Sequence, residues 1–514
     1  MRTALDWFTF GWHAFVGAWL VVLVGTWAGL WLRGANKGRF LTAPIAAAVV
    51  AVLAMLAAAA LKSGLETAGI AGPLRAYGTF AILPLFGLLA GLLARRDPRQ
   101  PLLHRGAVIQ DGGPQQRRGR GGQLTLAGIP VPASDETKHF KMLGTTGTGK
   151  STAIRELLRG ALARGDRAVI ADPDGGYLRQ FYDPSRGDVI LNPFDPRAHA
   201  WDPYGEITHV HDVEQLARSL IPDHDGSDKS WRGYARTFFT AVTRQTADAG
   251  VRELSELYRL LTCATIEELR ILTTGTPAQP FLEGGNERMF GSIRSVTGSQ
   301  LTALEYLSMQ PGPRIAVREW VRQGRGVLFM PYRANEIAAL RSVISAWLRL
   351  AIFECMSGEE GDQRLWFVVD ELDALGTIDG LKDALARLRK FGGRCVLGFQ
   401  SIAQVSSTYG QGEAQTIVEN CGNSLILRCS SSENGGTARF ASKLIGEREV
   451  IRPTISRSRR SGLFVEPHHS VSRGEQHVTE SAVLAAEVEQ LPDLQGYLKF
   501  ASHPAWLRVH LPRP

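Results

Sequence analysis

At 514 residues, with 44% apolar and 21% charged side chains, the chain has room for several domains at roughly 150 residues each, and its apolar content excludes a disordered protein. Its formal charge of +8 permits a nucleic-acid partner without proving one. Five cysteines (Cys263, Cys355, Cys395, Cys421, Cys429) form no CxxC pair and three lie in apolar runs, so reduced, buried thiols are expected rather than a disulfide or zinc site.

Phe10 to Leu32 carries only His13 as an ionisable group and Leu41 to Leu61 carries none; each is long enough for a bilayer core, which takes about 20 residues. Tyr77 to Ala94 is a third run at the short end of that range. A long first run followed by a second does not fit a cleaved signal peptide, so these segments are expected to anchor the mature protein. Arg33, Lys37 and Arg39 follow the first run, Arg95, Arg96, Arg99 and Arg105 follow the third, and the other loops carry Arg2, Lys62 and Arg75. Three spans at 10–32, 41–61 and 77–94, with the N-terminus outside, put both basic groups in the cytoplasm; two spans would put Arg33, Lys37 and Arg39 outside. Gly25/Gly29 and Gly87/Gly91 have GxxxG spacing and could pack helices between subunits.

Residues 97–122, rich in Gly, Gln, Arg and Pro, suit a linker leaving the membrane. Arg117, Arg118 and Arg120, like Arg457, Arg459 and Arg460, are basic clusters of the kind found on solvated loops or facing a phosphate backbone. Gln123 to Leu126 and Lys138 to Leu143 read as strands. Next, residues 144–152 read GTTGTGKST, and Gly144 through Ser151 fits GxxxxGK[ST] at every fixed position. Ile154, Leu157, Leu158, Ala161 and Leu162 then recur at helical spacing up to Gly165. Strand, glycine loop and helix in that order make a phosphate cradle, which identifies a nucleoside triphosphate site and implies ATP with Mg²⁺. Gly144, Thr145, Thr146, Gly147, Thr148, Gly149, Lys150, Ser151 and Thr152 would bind the nucleotide, with Lys150 on the β- and γ-phosphates and Ser151 on the metal.

Arg167 to Ala171 and Asp188 to Leu191 are further strands ending in polar turns, the pattern of a parallel sheet whose ligands gather at the strands' carboxyl ends. After Trp201-Asp202-Pro203 the texture becomes helical, in segments such as Asp212 to Leu220, Tyr234 to Ala247, Leu254 to Leu261 and Thr265 to Leu272, and residues 208–313 read as an inserted all-α domain. Strand character resumes at Gly326 to Met330, followed by a long apolar helix over Ile337 to Cys355. Arg364 to Val369 is a strand ending in Asp370-Glu371. Downstream of the phosphate loop this looks like a Walker B element, with Asp370 on Mg²⁺ and Glu371 polarising the attacking water. Cys395 to Phe399 ends in Gln400, placed to sense the γ-phosphate.

Taken together, the N-terminal apolar runs, GTTGTGKST, the helical insert, VVDEL at 368–372, GFQS at 398–401 and LPDLQGYL at 491–498 resemble the TraG/TraD-type coupling proteins of conjugative type IV secretion, over essentially the whole chain. The resemblance implies an α/β fold: a membrane-anchored RecA-like P-loop NTPase, with the nucleotide-binding domain at 123–207 and 314–514 and the all-α domain inserted in it. It also implies a multi-pass protein of the bacterial inner membrane, with residues 1–96 in the membrane region and the ATPase domain in the cytoplasm. The expected assembly is a homo-hexamer that recruits a relaxase on single-stranded DNA and feeds it to the secretion channel. In such rings a neighbour's arginine can reach the γ-phosphate, and Arg389 is the first candidate, Arg394 the second. A third apolar run departs from the two spans expected in much of the family. The sequence ends at Pro514 without an acidic tail, so docking through such a tail is not expected.

Three other readings compete. An FtsK-like double-stranded DNA translocase has spans and a similar motor, but commonly adds a C-terminal winged-helix module, and only some seventy residues follow the last motor strands here. An ATP-binding membrane scaffold is disfavoured by the intact Lys150, Ser151, Asp370 and Glu371. A protein-secretion ATPase fits the motor but not the several N-terminal spans.

Overall fold

The computed structural model describes residues 2–32, 37–69, 73–94, 102–112, 122–223, 228–432, 436–462 and 465–512. Arg33, Arg95, Arg96, Arg99, Arg117, Arg118 and Arg120 lie outside the described residues, as do the side chains of Arg2, Lys37, Arg75, Arg457, Arg459 and Arg460. The chain divides into two units, residues 1–104 with 450–478, and residues 105–449 with 479–514.

The first unit begins with helices α1 (Arg2–Leu32), α2 (Lys37–Thr67) and α3 (Pro73–Leu93). Among the described residues, Trp12–Leu32 and Arg39–Leu65 are long and apolar enough to cross a membrane, and Phe80–Leu93 is a shorter apolar stretch. The glycines at GxxxG spacing, expected between subunits, are used within the chain, where they let α1 and α3 touch backbone to backbone. A Cβ on Gly29 would stand 2.4 Å from the Leu88 carbonyl oxygen and 2.9 Å from Gly91 Cα, and one on Gly87 would stand 2.2 Å from the Val22 oxygen. Approach this close needs small residues on both helices. Gly29→Leu should therefore lower the thermal unfolding temperature of the detergent-solubilised chain. Gly17→Leu, whose added Cβ meets no atom within 4 Å, should leave it unchanged; equal effects would contradict this packing.

Pro44 inside α2 has no N–H and so leaves the Phe40 carbonyl without its helical partner. Trp27 Nε1 donates to that oxygen at 3.2 Å, and Trp19 Nε1 donates to the Pro44 oxygen at 2.9 Å. The Trp27 indole thus gives the orphaned Phe40 oxygen the donor that an apolar phase demands.

The segment read as a linker contains β1 (Leu102–Gly106) and β2 (Ile109–Asp111). Next come β3 (Thr125–Leu126), β4 (Ile129–Pro130), β5 (Phe140–Leu143), α4 (Lys150–Ala163), β6 (Arg167–Pro173), α5 (Gly176–Phe181), β7 (Val189–Ile190) and β8 (Ala200–Trp201). A helical run follows: α6 (Asp212–Leu220), α7 (Lys229–Asp248), α8 (Leu254–Thr262), α9 (Ile266–Leu272), α10 (Glu287–Gln300) and α11 (Thr302–Ser308). Alternation then returns with β9 (Arg314–Ile315), α12 (Val317–Gln323), β10 (Val327–Tyr332), α13 (Ile337–Cys355), β11 (Leu365–Val369), α14 (Leu381–Leu388) and β12 (Gly393–Phe399). After α15 (Ile402–Tyr409), α16 (Gln411–Asn420), β13 (Asn423–Ile426) and α17 (Gly436–Ile445), strands β14 (Glu447–Gly462) and β15 (Val465–Ser481) form a small sheet with β1 in the order β1-β14-β15. The chain closes with α18 (Ala485–Glu489), β16 (Gln495–Lys499) and β17 (Trp506–His510).

Ten strands form the main sheet in the order β2-β17-β16-β13-β5-β12-β11-β6-β10-β7. From β13 to β7 every neighbouring pair is parallel, so these strands bring their carboxyl ends to one edge. Side chains alternate strictly between two cores, as the strand period requires. Phe140, Met142, Ala168, Ile170, Trp366 and Val368 pack with α4 through Ile154, Leu157 and Leu158. Val169, Phe367, Val369, Leu397 and Phe399 face the opposite core with Val343 and Trp347 of α13. Burial on both faces explains why these strands read as continuous apolar runs.

The helical run shares that second core, through Leu216, Phe238, Leu257 and Leu304. Its two ends meet where β8 pairs with β9, Ala200 opposite Arg314 and Trp201 opposite Ile315. Buried Glu206 ties this root together by accepting from Trp201 Nε1 at 2.8 Å, Val317 N at 2.6 Å and Arg318 N at 3.0 Å. Burial pushes its carboxyl up to about 7 despite those donors.

Candidate nucleotide site

The carboxyl edge of the parallel sheet carries the chemistry. Strand β5 ends at Leu143, and the loop that follows turns into α4 at Gly149, whose φ of 116° is a left-handed conformation natural to glycine. A Cβ there would also stand 2.9 Å from both Leu494 Cδ2 and Leu511 Cδ1. Thr145 N donates to the Arg428 oxygen at 2.9 Å, and Leu494 N donates to the Thr148 oxygen at 3.0 Å. The loop is thus braced from beneath by the chain after β13 and by the segment leading into β16. Leu494 is held at φ 62° in doing so, a strained conformation for a leucine next to a binding loop.

Thr145, Thr146, Gly147, Gly149, Lys150, Ser151 and Thr152 line a cavity of about 410 Å³ together with Asp370, Glu371 and Gln400. Gly144 and Thr148 stand behind it and shape the loop, the Thr148 hydroxyl donating to the Thr145 oxygen at 2.7 Å. Lys150 is buried, its ammonium folded back to donate to the Gly144 oxygen at 2.6 Å. Burial lowers its pKa, opposed by the charges of Asp370 and Glu371.

Asp370, at the end of β11, is 4% exposed. Its Oδ2 accepts from the Ser151 hydroxyl at 2.6 Å and from the Tyr177 hydroxyl at 2.7 Å. Its Oδ1 is buried with no hydrogen-bond partner among the described residues, an expensive arrangement for a carboxylate unless a cation completes it. Ser151 and Asp370 therefore fit a hard divalent cation. Glu371 beside them has its pKa raised by burial, and then by Asp370 and Asp373, which increases its basicity. Gln400 Nε2 donates to Glu371 Oε1 at 2.5 Å, while the Thr146 hydroxyl donates to Gln400 Oε1 at 3.3 Å. Gln400 thus bridges the acid and the phosphate loop.

Arg389 is exposed, in a short turn over Arg389–Phe391 that precedes β12. It sits at the opposite edge of the sheet from the phosphate loop, roughly 20 Å away along a strand rising about 3.3 Å per residue. Such a residue does not reach the nucleotide site of its own chain. Arg394, the second candidate, is corrected: it is 3% exposed and donates to Glu136 at 3.2 Å, Asp362 at 2.8 Å and the Gly392 oxygen at 2.5 Å. A side chain committed to buried ion pairs has no reach outward.

Sequence reasoning missed Tyr177, Asp493 and Leu494. Tyr177 is delivered by α5, whose first N–H groups are capped by Asp172 at the end of β6: Tyr177 N donates to Oδ1 at 3.0 Å and Leu178 N to Oδ2 at 2.6 Å. Burial pushes Asp172 up to about 6 even so. The turn DPDGGY at 172–177 was the available signal. Asp493, paired with Arg428 at 2.6 Å, lines the cavity with Leu494.

A family model described as the type IV secretion-system coupling protein DNA-binding domain matches residues 123–512. Coupling protein TraD of Escherichia coli (strain K12) is 33% identical over 392 residues, covering 74% of this chain and 54% of its own length. Conjugal transfer protein TraG of Escherichia coli is 24% identical, covering 57% and 51%. The chain thus spans about half the length of the curated relatives it matches. Among solved structures, the unbound conjugative coupling protein TrwBdeltaN70 is similar at TM-score 0.71 and 33% identity, covering 81% of this chain and 95% of that one. TrwB in complex with ADP and Mg²⁺ is similar at TM-score 0.70 and 33% identity, with the same coverage.

Proposed function

This chain belongs to the type IV secretion-system coupling proteins, and from that premise we propose that it is an inner-membrane ATPase that recruits relaxase-bound single-stranded DNA and drives it into a secretion channel. The observation that carries the enzymatic part is the half-satisfied Asp370. Its Oδ2 is held by Ser151 and Tyr177 while Oδ1 is buried with no hydrogen-bond partner among the described residues, and Asp370 lines the cavity with Lys150 and the glycine loop. TrwB, similar over four-fifths of this chain, has been captured with ADP and Mg²⁺.

In this reading the loop from Gly144 to Thr152 wraps the phosphates of ATP with its N–H groups, and Lys150 exchanges its bond to the Gly144 oxygen for the β- and γ-phosphates. Ser151 and Asp370 would hold Mg²⁺, which would supply positive charge to the phosphate oxygens. Glu371 orients and polarises the attacking water, and Gln400 relays the state of the γ-phosphate from Thr146 to Glu371. Tyr177→Phe removes a hydroxyl that orients a metal-holding carboxylate, so the Mg²⁺ concentration needed for half-maximal turnover should rise about tenfold, a typical effect for such outer contacts. An unchanged Mg²⁺ dependence would mean that Tyr177 is only packing.

The chain would work as a homo-hexamer in which Arg389 reaches the neighbouring nucleotide. Arg389→Ala should then cut turnover of the assembled ring by about 10³-fold, the lower end for an arginine acting in trans, with ATP binding unchanged. Turnover equal to the parent would remove Arg389 from the mechanism. Residues 208–313 would act as an inserted all-α domain, joined to the motor at the root closed by β8, β9 and Glu206. At the N-terminus, α3 would be a third span, because its glycine contact with α1 has the character of packing between membrane helices. The N-terminus would then lie outside and the ATPase in the cytoplasm.

The family match favours DNA coupling over a translocase, scaffold or protein-secretion role. Single-stranded DNA binding by the full chain in detergent tests this part: binding should be indifferent to sequence and weaken steeply with salt. No binding at low salt by an assembled sample would overturn it.

A further inference from the structure

At the root of the helical run, residues 209–212 read His-Val-His-Asp, and three potential ligands converge there. His209 Nδ1 lies 3.6 Å from Asp212 Oδ2, and His211 Nε2 lies 3.6 Å from Asp212 Oδ1. The two imidazoles are stacked, their centroids 5.5 Å apart and their planes 18° from parallel. All three ligand atoms fall within 4.8 Å of one another. We propose that His209, His211 and Asp212 form a Zn²⁺ site that clamps the start of α6 to the loop preceding it.

The spacing suits that ion. Two ligands each about 2.0–2.2 Å from a tetrahedral zinc stand about 3.3–3.6 Å apart, and each histidine already stands 3.6 Å from one oxygen of Asp212, His209 from Oδ2 and His211 from Oδ1. The two imidazoles need to rotate toward each other and toward one shared oxygen. Their side chains are 69% and 71% exposed, so nothing confines them. Two nitrogens and one carboxylate, with a water in the fourth place, are a zinc donor set; Ca²⁺ and Mg²⁺ ask for oxygen ligands throughout.

The carboxylate is fixed before any metal arrives. Asp212 Oδ2 accepts from Thr208 N at 2.9 Å and His209 N at 2.6 Å, and Oδ1 accepts from Arg318 Nη1. These contacts are the outer support that metal-binding carboxylates use to stay oriented. Arg318 belongs to α12, beyond the far end of the helical run, so its pairing with Asp212 links the zinc site to that end of the root. Imidazolium pairing with Asp212 is the competing account of the same contacts, and it takes up no metal.

The test uses the untagged full chain in detergent, stripped with chelator and free of nucleotide, at a pH where histidine is neutral. Zn²⁺ is titrated calorimetrically, and Co²⁺ is followed by its visible absorption. One Zn²⁺ per chain is expected, with a tetrahedral Co²⁺ spectrum that Zn²⁺ displaces. His209→Gln/His211→Gln, both on exposed side chains, should weaken binding by at least tenfold. His104→Gln, at the other histidine pair, where His104 and His477 lie 5.6 Å apart, should have no effect. The proposal is overturned by unchanged affinity in the double variant, by loss of binding in His104→Gln alone, or by no uptake in the parent chain.

Discussion

Lys150→Ala should lower ATP turnover by about 10³-fold, the scale of losing a preorganised charge that faces the transferring phosphoryl group. The reason lies in where Lys150 sits. Its ammonium is buried between the loop and the acids of β11, with the Gly144 oxygen as its hydrogen-bond acceptor. Alanine leaves Ser151 and Asp370 in place, so a divalent cation would still be held, but the lysine's share in neutralising charge on the γ-phosphate would be lost. The surrounding fold should survive, because α4 is anchored by Ile154, Leu157 and Leu158 rather than by the lysine. Steady-state hydrolysis, measured beside the thermal unfolding temperature, separates the two effects. Lost activity with unchanged unfolding supports the assignment, while turnover within a few-fold of the parent refutes it.

A second large effect is expected at Glu371. Glu371→Gln keeps the shape and retains an oxygen to accept from Gln400 Nε2, but it removes the base. Turnover should fall by about 10²–10⁴-fold, the usual contribution of a positioned acid or base, while ATP and Mg²⁺ bind nearly as before. The pH profile gives an independent check. Burial raises the pKa of Glu371, so the active carboxylate forms later as pH increases, and parent turnover should rise through that raised value. The Gln variant should lack this acidic limb. A variant that keeps both its rate and the limb would place the base elsewhere.

Where chemistry depends on neighbours in sequence, the chain is readable in advance. The glycine loop needs a strand before it and a helix after it, and both lie within twenty residues, so Gly144 to Thr152 could be placed without a structure. Asp370 and Gln400 were readable because parallel strands must end on one edge, which turns their strand-end positions into proximity. Tyr177 was not: its hydroxyl meets Asp370 only because α5 folds over the edge from β6, a contact spanning 193 positions. Asp493 and Leu494 were missed for the same reason, since the last strands return beneath a loop formed 350 residues earlier. The GxxxG spacings correctly marked small-residue packing, but spacing alone cannot tell a partner within the chain from one in another subunit. The polar stretch over 452–476 hid β14 and β15, because its sequence lacks the apolar alternation that marks a half-buried strand.

In the proposed function, ATP hydrolysis at this site is coupled to the movement of single-stranded DNA. The direct test is ATP hydrolysis by the full chain, assembled in detergent, with and without single-stranded DNA and beside Lys150→Ala. The account predicts turnover that rises when DNA is added and disappears, with and without DNA, in the variant. Turnover that ignores DNA in an assembled sample, or DNA stimulation that survives loss of Lys150, would contradict it.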